Sequence, residues 1–247
     1  MLSSFLRRAV RQAIRRSGRK IHRVPINAVT GTDLEEDLRL VVGRDQPVCF
    51  DIGANEGQTI RLLQRAFTEP MIYAFEPAET TFRKLKSQRF CRKVSFHPLA
   101  LGSESSRREF INYRKSVLSS LLPLDESPEN RFRGTEIASR QMVEVQTVDG
   151  FVAEHKIDHI DILKIDTQGS DLAVLQGSFE TIARNAIGHV LVELNFVPMY
   201  AGQAAASDIS SFLTGHGFAL IDFYQKERER HTLAWCTALF GRRNRSV

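Results

Sequence analysis

Apolar and polar positions follow one another along the chain in a pattern that predicts an α/β fold. Short apolar runs with the length of buried strands lie at residues 48–52, 71–75, 94–97 (running on through 99–102), 160–166 and 189–194. Segments with apolar residues every three or four positions, as in amphipathic helices, lie at residues 57–67, 78–87 and 172–182. Because strands and helices alternate, the strands should be mostly parallel and joined by right-handed crossovers.

The regular alternation lapses between residues 103 and 141. Residues 109–113 indicate an added strand, whereas 114–141 are polar and interrupted by proline and glycine. A loop of this length inside a compact domain is usually functional or disordered, so we expect a lid or a substrate-shaping insert, with a mobile surface loop as the alternative. After it, residues 143–148 predict a strand, and Asp149 is the expected cap of a short helix.

The end of the chain predicts an antiparallel pair of strands that closes the sheet. Residues 218–223 and 232–240 are the two strands, and the charged residues 226–231 are the expected turn. A length of 247 residues suits one large α/β domain with its own core. We therefore predict a single domain over residues 31–247, with a mostly parallel seven-stranded sheet, preceded by a basic segment at 1–30.

Charge is distributed unevenly along the chain. The net charge is +5, of which residues 1–23 contribute +8 from eight Lys and Arg without any acid, so the remainder is mildly acidic at −3. This argues against a nucleic-acid-binding face spread over the fold. Apolar residues in the same segment lie at helical spacing, so it could rest on an anionic membrane surface; we favour a solvated N-terminal helix.

The cysteines and the hydropathy pattern bound the compartment. Cys49, Cys91 and Cys236 are far apart and show no C-x-x-C spacing, so neither a disulfide framework nor a zinc site is indicated. We find no run of about 18 apolar residues and no long apolar core of a signal peptide. We expect a cytoplasmic protein, with peripheral contact to the inner membrane surface through residues 1–23 left open.

The turn between the first strand and the first helix carries the strongest chemical signal. Asp51 comes near the end of the strand, and Gly53 and Gly57 flank Asn55 in a turn that needs small or left-handed residues. Such a turn presents free N–H groups and a positive helix end to the polar part of a ligand. Glu76 follows the second strand and is placed to accept hydrogen bonds from ribose hydroxyls. Together they predict a nucleoside-cofactor site, with a turn that binds nothing as the alternative.

The glycine spacing indicates which cofactor this is. A nicotinamide site needs G-x-G-x-x-G, and the turn that starts at Gly53 lacks the second and third glycines, so a dehydrogenase is disfavoured. An acid, a glycine, Asn55 and a glycine in this order resemble the S-adenosylmethionine turn of class I methyltransferases. In that resemblance, Asp51 and the backbone from Gly53 to Gly57 hold the amino-acid part of the cofactor.

Further motifs extend the resemblance over residues 48–240. They are Glu76-Pro77, Lys164 to Asp166, Val192 to Leu194, and Phe196 to Tyr200 with Pro198 between them. Their order is similar to that of the FkbM family of methyltransferases. The resemblance implies a class I, Rossmann-like methyltransferase fold with an antiparallel closing strand, and S-adenosylmethionine as the cofactor. The expected cofactor-binding residues are Asp51, Gly53, Asn55, Gly57, Glu76, Pro77 and Ala100.

Two acidic residues are candidates for the chemistry. Asp166 and Glu193 come at the ends of adjacent predicted strands, so both could face the crevice outside the sheet's C-terminal edge. We expect Asp166 to position the acceptor or accept its proton, with Glu193 beside it. In the structural alternative, Asp166 caps the next helix and Glu193 pairs with Lys164. His97 is a further candidate base, and no metal site is predicted.

One position departs from the family pattern. Where the family often has Lys-Ile-Asp-Val-Glu-Gly-x-Glu, the stretch from Lys164 to Asp171 has Gln168 in place of a frequent glutamate. Loss of that carboxylate could alter substrate choice or remove a base. Members of the family mostly methylate hydroxyls of sugars, glycolipids and secondary metabolites, so we expect an O-methyltransferase with a small-molecule or glycan acceptor. A cofactor-binding module without catalysis and an RNA methyltransferase are the alternatives.

Overall fold

The structure, a computed structural model, describes residues 28–90 and 93–243. Within these residues the strands are β1 (Val48–Ile52), β2 (Met71–Phe75), β3 (Val94–His97), β4 (Ala100–Leu101), β5 (Ser106–Tyr113), β6 (Ile137–Gln146), β7 (Ile160–Ile165), β8 (Ile187–Asn195), β9 (Phe218–Glu229) and β10 (Thr232–Arg242). The helices are α1 (Leu34–Val42), α2 (Gln58–Ala66), α3 (Glu79–Ser87), α4 (Val148–Glu154), α5 (Asp171–Gln176), α6 (Phe179–Ala183) and α7 (Ala206–Gly215). A 3₁₀ turn covers Ser116–Leu118.

The main sheet has the strand order β3-β2-β1-β7-β8-β10-β9. The pairings from β3 through β8 are parallel, whereas β10 runs antiparallel to both of its neighbours. This confirms the predicted Rossmann-like α/β fold with a mostly parallel seven-stranded sheet and an antiparallel closing strand. Main-sheet strands before β7 are added on one side of β1, and β7 and the later strands on the other, so the strand order reverses between β1 and β7. In open α/β sheets the ligand crevice lies outside the C-terminal strand ends at such a point.

Helices cover both faces of the main sheet. On one face α1, α2 and α3 pack against a row that includes Cys49, Ile162 and Leu191; on the other face α4, α5, α6 and α7 cover a second apolar cluster. Side chains alternate along a strand, so residues two positions further along the same strands point to the same face as that row. Asp51 and Lys164, which are paired in register, therefore lie side by side on the α2 face near the C-terminal edge.

The segment after β3 differs from the prediction. Residues 99–102 do not continue β3, because β4 leaves the main sheet and pairs with β6, which also pairs with β5 in a separate three-stranded sheet. Strand β6 begins at Ile137, ahead of the predicted start at residue 143, since it pairs with β5 as far as Tyr113. The stretch predicted as an irregular insert thus contributes much of a small β-sheet.

The expected cap of α4 was wrong. Thr147 is the N-cap, and its side chain accepts a hydrogen bond from the backbone N–H of Gly150 at 2.9 Å. Asp149 instead accepts hydrogen bonds from the backbone N–H groups of Glu180 and Thr181, at 2.9 and 2.8 Å. Asp149, two residues after Thr147, is also a residue type that caps helices, but its carboxylate joins α4 to the start of α6.

Two further element boundaries were wrong. The single helix predicted over residues 172–182 is divided into α5 and α6, with Gly177 between them, where a Cβ would lie 2.0 Å from the carbonyl oxygen of Gly102. The charged residues 226–231 do not form a long turn, because β9 continues to Glu229 and β10 starts at Thr232. Alternating charge on an exposed strand edge resembled a loop in the sequence.

The basic segment predicted at residues 1–30 falls almost entirely outside the described residues, as does Cys91. Its contact with a membrane surface therefore stays a prediction. Among residues 28–90 and 93–243, no helix combines the length and the apolar character needed to cross a bilayer.

Candidate functional site

The turn between β1 and α2 has three left-handed residues in close succession. The φ angles are 79° at Gly53, 46° at Asn55 and 85° at Gly57. A Cβ at Gly53 would lie 2.0 Å from the carbonyl oxygen of Asp166, so no larger residue fits between the ends of β1 and β7. The predicted glycine requirement therefore has a physical basis, since the turn brings its backbone against the residue expected to do the chemistry.

Glu76 lies directly beyond β2 and is held against this turn. Its Oε2 accepts from the backbone N–H of Asn55 at 3.0 Å, and its Oε1 accepts from that of Ala78 at 2.8 Å. Burial raises the pKa of Glu76 to about 7, although the two backbone N–H groups favour the ionised form. Each carboxylate oxygen can accept a second hydrogen bond, so Glu76 can still receive hydroxyl groups from a ligand.

A buried ion pair lies beneath the turn. Lys164 Nζ is 3.0 Å from Asp51 Oδ1 and 3.7 Å from Asp166 Oδ2, and it donates to the carbonyl oxygen of Gly53 at 3.1 Å. Burial raises the pKa of the Asp51 carboxyl, and Lys164 counters that shift. For Lys164, burial disfavours the charged form, but attraction to Asp51 and Asp166 outweighs it and raises its pKa. The ammonium therefore fixes the turn and the Asp166 carboxylate to one another.

Gln168 connects Asp166 to a buried tyrosine. Its Nε2 donates to Asp166 Oδ1 at 2.6 Å and approaches Glu193 Oε2 at 3.5 Å, while its Oε1 accepts from the Tyr200 hydroxyl at 2.7 Å. The backbone at Gln168 is left-handed, with φ 56°, and its carbonyl oxygen accepts from Ser120 Oγ at 2.6 Å. The amide is thereby oriented with its donor end toward the carboxylates.

Glu193 is a further acid beside Gln168 and Asp166. Asn195 Nδ2 donates to its Oε2 at 3.3 Å. Burial raises the pKa of the Glu193 carboxyl well above its ordinary value, and the nearby Asp166 and Asp171 raise it further. Both effects disfavour a second negative charge beside Asp166.

In the structural alternative, Asp166 would cap the helix that follows β7, but another acid holds that turn. Helix α5 starts after Ser170, and its first residue, Asp171, accepts hydrogen bonds from the backbone N–H groups of Thr167 and Gly169 at 3.0 and 3.2 Å. The Asp166 side chain takes no part in this turn. Its partners are Gln168 and Lys164, and about a third of its side chain, 36%, remains exposed. Asp166 thus does not cap the helix.

A cavity of about 450 Å³ connects these groups at the C-terminal edge of the sheet. Ligand sites for small molecules have volumes of about 300–1,000 Å³. One part of the cavity lining is formed by the β1–α2 turn, Glu76, Lys164 and Asp166, and another wall comes from the small sheet and the segment between β5 and β6. The residues of that wall are Ala100, Leu101, Phe110, Ser116, Val117, Ser119 and Leu121.

The structure brings most of the predicted site residues to this cavity. Those that line it are Gly53, Asn55, Glu76, Pro77, Ala100 and Asp166. Asp51 is fully buried beneath the turn and acts on the cavity through Lys164. Gly57 begins the helix behind the turn, where a Cβ would lie 2.4 Å from the Phe90 ring. Glu193 does not line the cavity and reaches it through Gln168.

His97 is not brought to the cavity. Its ring stacks on Phe75 with centroids 5.2 Å apart and meets Phe151 edge-on at 4.7 Å. Its Nε2 lies 2.9 Å from Ser95 Oγ. Burial lowers the pKa of His97, and the neighbouring His155 lowers it further. These contacts place His97 in a packed aromatic cluster beside β3, so its ring is not positioned to act as a base in the cavity.

Sequence reasoning missed several residues of the site. Tyr200 was noted only as the last residue of a family motif, whereas its ring is buried and its hydroxyl contacts Gln168 and the carbonyl oxygen of Leu118. Phe110 was placed in an added strand and Val117 in an irregular stretch, and nothing in the pattern assigned either of them to the cavity wall. Lys164 was recognised only as an ion-pair partner of Glu193. Its position two residues before Asp166, which places both side chains on one side of the chain, was a signal that could have found it.

Comparison with known proteins places the chain among methyltransferases. A family model described as the methyltransferase FkbM domain matches residues 51–220. The FkbM protein of Streptomyces tacrolimicus, named 31-O-demethyl-FK506 methyltransferase, is 25% identical over 200 residues, which cover 72% of this chain and 75% of that protein. The hexuronic acid methyltransferase AglP of Haloferax volcanii is 24% identical, covering 64% of this chain and 60% of that protein.

Other relatives match over similar lengths. Methyltransferase 1 of Beauveria bassiana is 26% identical over 164 residues, and the match spans 65% of that protein and 61% of this chain. Among solved structures, Streptococcus pneumoniae Sp1610 in complex with S-adenosyl-L-methionine has a TM-score of 0.45 at 12% identity, covering 85% of this chain and 73% of that one.

Proposed function

The chain belongs to the FkbM family of methyltransferases, and from that premise we propose that it methylates a hydroxyl oxygen of a saccharide, a glycolipid or a secondary metabolite. Its cofactor is S-adenosylmethionine. The observation that carries the proposal is the single cavity that joins Glu76 at one end to the Asp166 carboxylate at the other. The named activities of relatives on sugars and on a secondary metabolite support this choice of acceptor.

The residues of the cavity suit the cofactor. Glu76 offers carboxylate oxygens as acceptors for ribose hydroxyls, and the apolar side chains of Leu99, Leu101 and Phe110 offer a surface for a purine ring. Asn55 lines the cavity, and its side-chain Oδ1 has no hydrogen-bond partner among the described residues, so this oxygen can accept from the ammonium group of the amino-acid part. When bound there, S-adenosylmethionine supplies a methyl group on a positively charged sulfur.

Asp166 is the residue that we propose as the proton acceptor. Methyl transfer would form a bond from the hydroxyl oxygen to the methyl carbon while the bond from sulfur to that carbon breaks and its electron pair stays on the sulfur. The hydroxyl proton is released and needs a base within hydrogen-bond reach. Asp166 has one oxygen held by Gln168 and the other beside Lys164, so its orientation is fixed while part of it stays open to the cavity. Fixing the acceptor and the base in one geometry can supply about 7–11 kcal/mol of the barrier.

We further propose that the segment predicted as an insert shapes the acceptor end of the cavity. The 3₁₀ turn and the residues after it line the same cavity as Asp166. Ser120 Oγ donates to the carbonyl oxygen of Gln168, and the carbonyl oxygen of Leu118 accepts from the Tyr200 hydroxyl. Val117 lines the cavity and is 54% exposed, so its side chain is open to a ligand. An acceptor that covers Val117 would exclude water from the reacting oxygen.

The experiment compares Asp166→Asn with the wild type. Asparagine keeps the size of the side chain but removes the base, so transfer of labelled methyl to a glycan fraction should fall by about 100-fold or more. Binding of S-adenosylmethionine, measured by isothermal titration, should be retained. Asp158→Asn is the matched control, because Asp158 is exposed and lies outside the cavity. Full turnover in Asp166→Asn would remove Asp166 from the mechanism.

A further inference from the structure

A second cleft opens beside the cavity, on the side of the sheet covered by α1 and α2. It has a volume of about 410 Å³ and is bounded by the loop before α1, by α2 and by β9. Leu62, Arg65 and Gln225 line both spaces, so the two lie side by side. We propose that this cleft binds the sugar units of an oligosaccharide acceptor that lie beyond the unit being methylated. The inference rests on the function proposed above and narrows its acceptor.

The side chains of the cleft have the chemistry that a sugar chain requires. Leu62 provides apolar surface for the C–H face of a sugar ring, and charged and amide groups surround it. Arg65 donates from both Nε and Nη2 to the same oxygen of Glu35, at 2.8 and 2.5 Å. This pairing leaves the second oxygen of Glu35 and the outer N–H groups of Arg65 for neighbouring hydroxyls.

Gln225 is directed into the shared part of the two spaces by an irregularity in β9. The β9–β10 register shifts between Trp235 and Thr237, and Gln225 has a left-handed backbone with φ 47°. Bulges of this kind re-aim a side chain and are frequent beside active sites. Thr237 Oγ1 donates to Gln225 Oε1 at 2.9 Å, which orients the amide with its Nε2 donor end away from that contact.

The outer wall of the cleft is fixed by a buried carboxylate. Asp37 is 1% exposed and accepts hydrogen bonds from the backbone N–H groups of Thr30 and Gly31, at 2.8 and 2.9 Å, and from the Tyr224 hydroxyl at 2.9 Å. A Cβ at Gly31 would lie 2.2 Å from Asp222 Oδ2, so the loop backbone packs directly on β9. A wall held in place in this way binds a ligand with a smaller loss of conformational freedom.

The charge of the cleft selects among acceptor classes. Its charged side chains are two acids, Asp33 and Glu35, and two bases, Arg65 and Lys226, so no excess of positive charge is present for a chain of phosphates. Polar groups are interspersed with the apolar ones, which disfavours an acyl chain. A neutral or weakly charged polyol longer than one sugar is the ligand that fits both properties.

The experiment measures binding of defined oligosaccharides of one to four units to the full chain saturated with S-adenosylhomocysteine. The probes are ladders of glucose, rhamnose, fucose and glucuronic acid, and affinity is followed by isothermal titration. For a series that binds, affinity should rise about tenfold or more beyond the first unit, because charged hydrogen bonds are added. Hydrogen exchange of residues 31–35 and 223–226 should slow with the longer probes and not with single sugars.

Two variants test the assigned residues. Arg65→Gln removes the guanidinium, and Gln225→Gly removes the amide while keeping a residue that tolerates the left-handed backbone. Each should cancel most of the gain in affinity with chain length. Arg83→Gln is the matched control, since Arg83 makes the same kind of pair with Glu79 on α3 outside both spaces. It should keep the gain.

The outcomes separate the two proposals. If affinity rises with chain length equally in all variants, or the exchange of 31–35 and 223–226 is unaffected by longer probes, the cleft is not the site and the proposed function stands. If no saccharide of any length binds while S-adenosylhomocysteine does, the saccharide acceptor is wrong and the inference fails with it. Length-dependent binding that is lost in Arg65→Gln and Gln225→Gly supports both.

Discussion

Gln168→Glu would place a second carboxylate directly against Asp166. The amide nitrogen of Gln168 now donates to Asp166 Oδ1 at 2.6 Å, and an ionised glutamate at that position has no hydrogen to donate. Two carboxylates at such a distance cannot both be ionised without a large penalty, so they share a proton. The variant should therefore hold Asp166 or its new neighbour protonated to a higher pH than in the wild type.

The size of the effect follows from the geometry. Two unit charges about 4 Å apart repel by about 4 kcal/mol at an effective dielectric constant of about 20, which corresponds to about three pH units. Because 36% of the Asp166 side chain is exposed, solvent screens part of this interaction. We expect the acid limb of the pH–rate profile to move upward by about one to two pH units, with activity regained at higher pH.

The assay follows transfer of labelled methyl to a glycan acceptor from about pH 5 to about pH 9 at saturating cofactor. Gln146→Glu is the control, because Gln146 also donates to a carboxylate, Glu154 Oε2 at 2.9 Å, at a site outside the cavity. Its profile should match that of the wild type. A Gln168→Glu profile that superimposes on the wild-type profile would refute the assignment of Asp166 as the titrating base.

Three further predictions follow from the same contacts. Gly53→Ala should lower the free energy of unfolding by about 3 kcal/mol in urea denaturation, because a Cβ meets a backbone oxygen in a left-handed conformation. Tyr200→Phe should cost about 1–3 kcal/mol by the same measurement, since the Gln168 and Leu118 oxygens lose a buried donor, and it should lower turnover. The Glu76 carboxyl, with its pKa raised to about 7 by burial, stabilises the folded state when protonated. That contribution is complete below about pH 4.5 and is lost as the pH rises through about 7, so the wild type should lose up to about 3 kcal/mol relative to Glu76→Gln over this range.

Each of these predictions has a clear contradiction. Gly53→Ala with wild-type stability would show that the ends of β1 and β7 can separate freely. Unchanged turnover in Tyr200→Phe would show that the link from the tyrosine through Gln168 does not position Asp166. A stability difference between Glu76→Gln and the wild type that is constant with pH would mean that the Glu76 pKa is not raised in the folded protein.

The parts of the fold with strong periodicity could be predicted from the sequence. β1 and β2 have the predicted bounds because apolar runs ended by an acid or a glycine turn allow few other conformations. The small sheet could not be predicted, because the pairing of β5 with β6 depends on contacts between distant residues and its outer face is polar. The break between α5 and α6 was missed for a similar reason, since it arises from the approach of Gly177 to Gly102.

Some residues of the candidate site could likewise be predicted from the sequence, and others could not. Residues adjacent to strand ends, such as Gly53, Glu76 and Asp166, could be located because parallel strands deliver their C-terminal ends to one edge. Gln168 was noticed only as a departure from the family pattern. Its side chain contacts Asp166 and Tyr200. These contacts depend on the left-handed backbone at Gln168 and on Tyr200, which is 32 residues away in the sequence, so the local pattern could not reveal them.

The most direct test of the account is the affinity for S-adenosylhomocysteine of the wild type and of Glu76→Gln, measured by isothermal titration at about pH 8, where Glu76 is mostly ionised. We expect binding to the wild type and a loss of about tenfold or more in the variant, because the amide cannot replace both carboxylate acceptors for hydroxyl groups. Equal affinity of the two proteins, or no binding to the wild type, would contradict the claim that the cavity between Gly53 and Glu76 holds the cofactor.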